Sequence, residues 1–148
     1  MAGTHALGGA VVAQKQTVAC TIAQVEAANA VLATVYVPNS CTILDVILTV
    51  TDMDSSTGLL LDVGDSSGPA TADDNRFLAG VSGQAAASFR ASVMAAADGL
   101  LLAPYDYRGL KGTDDSQIEQ GIEVTVNTVA TTGVAGSLTL TVIYFATK

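Results

Sequence analysis

The side chains able to act as acids, bases, nucleophiles or metal ligands are few, and their spacing limits what they can do. The single histidine, His5, lies in a Gly/Ala-rich opening stretch. A general base needs rigid surroundings that hold its ring and fix its tautomer, and such a stretch offers none. A thiolate nucleophile needs a base or an electropositive site, but Cys20 lies on an apolar strand face and Cys41 at a strand start with no base nearby in sequence. Nor do they have the paired spacing of a zinc site. In a protein made in a cytoplasm they are expected to be buried free thiols, with a bridge between neighbouring strands left open. Paired carboxylates are the remaining catalytic option, since glycosidases use two of them. Asp62, Asp65, Asp73 and Asp74 are the candidates, but sugar sites also favour aromatic platforms, and the chain has no Trp and an aromatic share of 5%. The run Asp52-x-Asp54-x-Ser56-x-Gly58 resembles the first half of a calcium loop, yet it lacks the bidentate Glu that closes an EF-hand. Aspartates in such a run also build turns. No glycine-rich loop with Lys-Ser/Thr follows the isolated Gly8-Gly9 pair, so phosphate binding has no motif. The expectation is a protein without catalytic residues, cofactor or metal.

The elements that would carry these residues are strands. Val, Thr, Ile and Leu dominate the chain, and hydrophobic residues make up 49% of its 148 residues, enough for one domain with a core. Residues 1–15 have no clear period and are expected to form an extended N-terminal arm, with a β domain over 16–148. Period-2 alternation then marks strands. It places Val18, Cys20 and Ile22 on one face, and Val31, Ala33, Val35 and Val37 on another. In Thr42–Thr51 it points Leu44, Val46, Leu48 and Val50 inward, leaving Ile43, Asp45, Ile47 and Thr49 outside. Leu59–Val63 and Phe77–Val81 read as strands around a polar loop, Gly64–Asn75. Gln84–Ala97 is ambiguous between helix and strand and leans to strand. Leu100–Ala103 is short and apolar, and Tyr105–Gly109 reads as a loop or edge. Ile122–Val129 and Ser137–Phe145 alternate most clearly, and Ala130–Gly136 is long enough to join them as a hairpin. About eight short strands with turn-rich links indicate an all-β fold. The expected form is a single-domain antiparallel β-sandwich, jelly-roll-like.

Charge and surface pattern narrow the partners. Fourteen acidic and six basic residues give a net charge of −8. Such a surface repels phosphate backbones and anionic lipid, so neither nucleic acid nor membrane is expected as a partner. The first ten residues lack the charged start and apolar core of a signal peptide, so synthesis in a cytoplasm is expected. One feature points to protein contact. Alternation in the last strand puts Tyr144 inward and leaves Ile143 and Phe145 on the other face. Large apolar side chains clustered on a solvent face mark contact surfaces.

Several stretches carry a family resemblance. Leu59-Leu60-Leu61-Asp62-Val63-Gly64-Asp65, then an acidic loop and Asp74-Asn75-Arg76-Phe77, resembles small virion proteins of tailed bacteriophages. So do Tyr105-Asp106-Tyr107 and the ending Ile122-Glu123-Val124-Thr125-Val126, a glycine-containing tip, and Gly136 to Tyr144. The resemblance spans roughly residues 40–146 in order. It implies a head decoration, or cement, protein of the phage capsid. Such a protein sits on the outer capsid surface of the virion, often as a homotrimer, binds the major capsid protein, and is made in the host cytoplasm. His5, Leu7, Lys15, Ile143 and Phe145 are then the candidate subunit or capsid contacts. A tail, neck or fibre component has the same style, and a carbohydrate-binding or adhesin module would need Tyr36, Tyr105, Tyr107 or Tyr144 as its aromatic face.

Overall fold

The computed structural model describes residues 9–38, 41–65, 73–91, 105–106 and 119–147. Its described elements are β1 (Gly9–Cys20), α1 (Ile22–Val25), β2 (Val31–Pro38), β3 (Cys41–Val50), β4 (Leu60–Asp65), β5 (Asp73–Ser82), β6 (Ala87–Arg90), β7 (Tyr105–Asp106), β8 (Glu119–Thr128) and β9 (Gly136–Thr147). They form two antiparallel sheets. Sheet A runs β1-β9-β3-β6, with β7 also paired to β3, and sheet B runs β2-β8-β4-β5. The chain changes sheet between most consecutive described strands, so the two sheets are interwoven along the sequence as an antiparallel β-sandwich.

The alternation seen in the sequence builds the core. Leu138, Leu140, Val142 and Tyr144 of β9 face Ile122, Val124 and Val126 of β8 and Leu61 and Val63 of β4, all buried. Removing such side chains from water stabilises the fold by about 1.5–3 kcal/mol each. Phe77 and Met53, both fully buried, fill the space between the sheets.

Several expectations are corrected by bulges and crossings. Ile43 is buried, not outward, because the register of β3 on β9 shifts between Ile43 and Asp45. The extra residue, Leu44, flips the faces before it. Val31 is exposed because β2 shifts register on β8 between Val31 and Ala33. Ile22 is not in a strand. Thr21 caps a four-residue helix there, its N–H donating to Gln24 Oε1 at 2.8 Å while its hydroxyl accepts from the Gln24 N–H at 3.3 Å. This capping box turns the chain from sheet A to sheet B and plugs Val25 into the end of the core.

The expected hairpin of the last two strands is also replaced. β8 lies in sheet B and β9 in sheet A, so the linker between them crosses the sandwich instead of folding back. Gly64 and Asp65 lie within β4, and Asp73–Asn75 within β5, so the polar loop is shorter than expected; residues 66–72 are outside the described set. β6 occupies part of the ambiguous Gln84–Ala97 stretch, whose residues 92–97 lie outside it, as do 100–103 and 107–109. Residues 9–15 are paired to β9 as the first half of β1, and residues 1–8 are outside the described set.

Candidate functional site

Of the carboxylates singled out for chemistry, Asp54, Asp62 and Asp65 are tied to backbone and side-chain donors. Asp54 is 1% exposed. Its Oδ1 accepts from the N–H groups of Ser56 (3.1 Å) and Thr132 (3.0 Å) and from the Ser56 hydroxyl (3.2 Å). Its Oδ2 accepts from the N–H groups of Leu59 (3.0 Å) and Thr131 (3.2 Å). Burial opposes its charge, but these donors from Thr132, Ser56, Leu59 and Thr131 outweigh burial and hold its pKa at about 2. One carboxylate thus pins the β3–β4 turn to the β8–β9 crossing. The calcium-like run is a turn built around that anchor.

Asp62 bridges three strands of sheet B. It accepts from the Gly80 N–H and from Asn127 Nδ2, each at 2.6 Å. Both carboxylate oxygens of Asp65 accept from Arg76 Nε, at 2.9 Å. Asp74 is exposed, and Asp73 stands opposite Asp65 in the β4–β5 register. Cys20 and Cys41 are buried free thiols. Cys20 pairs with Gly136 and Cys41 with Ala146, at opposite ends of β9. Ten residues of strand separate them, about 33 Å, so no bridge can form. Burial raises the Cys20 pKa.

The register does bring expected contact residues together. On the outer face of sheet A, Val11 stands beside Phe145 and Thr42, Ala13 beside Ile143 and Asp45, and Lys15 beside Thr141, Ile47 and Arg90. Thr17, Thr139, Thr49 and Ser88 form the next row, with hydroxyl contacts Thr17–Thr139 at 2.8 Å and Thr49–Ser88 at 3.0 Å. The face therefore grades from hydroxylic at one end to apolar at the other. Ile143 and Phe145 are half-buried. The Phe145 ring lies across Gly9, where any Cβ would meet it at 2.0 Å. Asp45 and Arg90 form an ion pair on the same face. Lys15 is exposed, and His5 and Leu7 lie outside the described residues.

Beside this face, the edge strands β1 and β2 of the two sheets border a groove of about 430 Å³ lined by Gln14, Lys15, Gln16, Thr34, Val35 and Tyr36. Gln16 Oε1 reaches across it to accept the Thr34 N–H at 2.9 Å.

The chain is similar in fold to one in the capsid of a cyanophage. The match is to a chain of the "Cyanophage Pam1 capsid asymmetric unit", with a TM-score of 0.65 and 22% identity. It covers 98% of this chain and 91% of that one. A chain of the "Capsid of Ralstonia phage GP4" matches with a TM-score of 0.62 and 22% identity, covering 100% of this chain and 91% of that one. No protein-family model and no curated protein matches the sequence. At this identity, what the chains share is the fold.

Both matches run over nearly the full length of each chain, so the likeness is to the whole sandwich and not to one sheet of it. In this chain the sequence reading missed Val11 and Ala13, which complete the apolar end of sheet A. Their signal was present, since Val11, Ala13, Lys15 and Thr17 alternate with Val12, Gln14, Gln16 and Val18. The Gly/Ala content of the first residues masked that period.

Proposed function

We propose that this protein is a non-enzymatic structural component of a bacteriophage virion, which binds the outside of the capsid and reinforces contacts between capsid subunits. The observation that carries this reading is the end-to-end fold match to a chain of similar size within a phage capsid. The chemistry of the described residues supports it. Asp45, Asp54, Asp62 and Asp65 hold strands and turns together. Among the described residues no three His, Cys, Asp or Glu side chains gather as a metal site would require. The net charge of −8 suits a protein that faces away from packaged DNA.

In this reading the partner is the major capsid protein, and the protein itself is a homotrimer. Sheet A's outer face, with Lys15, Ile143 and Phe145, is the contact surface, joined by His5 and Leu7 of the arm. Many modest contacts repeated by symmetry give the brace its strength. The test is to incubate purified protein with capsids that lack it and follow binding by cryo-electron microscopy and heat challenge. Added density outside the shell and a higher capsid disruption temperature are expected. Density on the tail or neck, or no change in disruption temperature, overturns the reading.

A further inference from the structure

β1 is an anomaly in the sandwich. A strand at the rim of a two-layer fold ordinarily buries one face. Of the twelve residues of β1, only Cys20 is buried, and Val12 and Val18 are half-buried. Val11 is 65% exposed. The strand nevertheless runs in unbroken register along β9, from Gly9 opposite Thr147 to Cys20 opposite Gly136. Its other edge makes no backbone hydrogen bond among the described residues.

Proteins ordinarily blunt such edges with prolines, bulges, several charges or a covering segment. β2, the neighbouring edge, is treated this way. It ends at Pro38, is bulged after Val31, and has its Thr34 N–H capped by Gln16. β1 contains no proline and no bulge, and its one charge is Lys15. The Gln16 amide oxygen caps an N–H of β2, not one of β1.

We infer that the free edge of β1 is a β-augmentation site, which takes up an extended segment of a capsid shell subunit as an additional strand of sheet A. The inference rests on the capsid reading above. Main-chain hydrogen bonds would supply most of the recognition, and a carboxylate in the segment would meet Lys15. A second copy of this chain fits the edge less well. A two-fold antiparallel pairing of β1 with itself, kept near full overlap, centres on Gln14 or Lys15. Either register sets the two Lys15 ammoniums on one face of adjacent strands, opposed or diagonal, where like charges disfavour pairing.

Hydrogen–deuterium exchange on the full chain tests this, with purified shells lacking the protein as the probe. In the free protein, the β1 amides that do not bond β9 are expected to exchange fast. On the shell, those amides, about half of the strand, are expected to slow by about tenfold or more, as newly paired amides do. Lys15→Glu is expected to weaken shell binding by about tenfold while its melting temperature holds. Shell-bound protein whose β1 amides exchange as in the free state overturns the inference and leaves the capsid reading standing. Protection that arises on concentrating the protein alone overturns the shell as occupant in favour of a second copy. Failure of wild-type protein to bind shells overturns the capsid reading and the inference with it.

Discussion

Asp54 shows how one side chain does the work of a loop's worth of packing. Its two oxygens take five donors from two segments of chain, Ser56–Leu59 and Thr131–Thr132. All of these donors favour the ionised form, which is why its pKa falls from the usual 3.8 to about 2. A carboxylate with a depressed folded pKa stabilises the fold at pH above its unfolded value. That stability is lost as pH drops from about 4 toward 2. Asp54→Asn places an amide NH₂ among donors and should lower the melting temperature at pH 7. It should also flatten the decline between pH 4 and pH 2 that the wild type shows. Asp52 accepts one bond, from the Asp54 N–H at 3.2 Å, so Asp52→Asn should cost less at pH 7. Equal losses for the two variants in thermal melts across this pH range would refute Asp54 as the anchor.

At the scale of elements, bulges decide which side chains face the core, and bulges are what the sequence hides. The period-2 pattern placed β8 and β9 on the correct faces, because neither contains an internal shift along the buried stretch. It misplaced Ile43, because a single extra residue at Leu44 inverts everything before it, and nothing in Thr42-Ile43-Leu44-Asp45 advertises that residue. It also paired β8 with β9, since a seven-residue link suits a hairpin as well as a crossing. The crossing is held by the bonds of Thr131 and Thr132 to Asp54, a contact some 77 positions away in sequence. The β4–β5 bulge is of the same kind. Between Leu61–Val81 and Val63–Leu78, β5 carries one residue more than β4. Gly80 takes a φ of +59° there, and Asp62 accepts its N–H. Gly80→Ala would force an L side chain into the left-handed region at a cost of about 1–2 kcal/mol, although space for the methyl exists. Asp62→Ala would remove the charged acceptor of the Gly80 and Asn127 donors, at about 1.5–3 kcal/mol. Both changes act on one bulge, so the double variant should cost less than the sum in urea denaturation. Additive costs would mean that Asp62 and Gly80 act independently.

For the whole molecule, the two outer faces differ in charge. Glu123 and Asp62 lie on the outer side of sheet B, while sheet A's outer side has Lys15 and the Asp45–Arg90 pair among its described side chains. Sheet A's outer face is therefore the broad surface with its charges nearly balanced, and it ends in Val11, Ala13, Ile143 and Phe145. Of the contact residues read from the sequence, Lys15, Ile143 and Phe145 meet on this face. The outward placement of Ile143 and Phe145 was legible because β9 alternates without a break, whereas that of Val11 and Ala13 was hidden by the Gly/Ala content of the first residues. If this face meets the capsid, a change that removes apolar contact while preserving strand geometry should separate binding from folding. Ile143→Thr is such a change. Thr is also β-branched and suits a strand, and the position is half-buried at the surface, so the melting temperature should fall by only a few degrees, in line with a cost of about 1 kcal/mol. Occupancy on capsids, counted by quantitative gel densitometry of washed particles, should fall several-fold. Asn127→Thr on sheet B removes a contact to Asp62 and should lower the melting temperature while leaving occupancy of the folded protein intact. The opposite ranking, with the sheet B variant losing occupancy and the sheet A variant keeping it, would move the capsid contact to the acidic face.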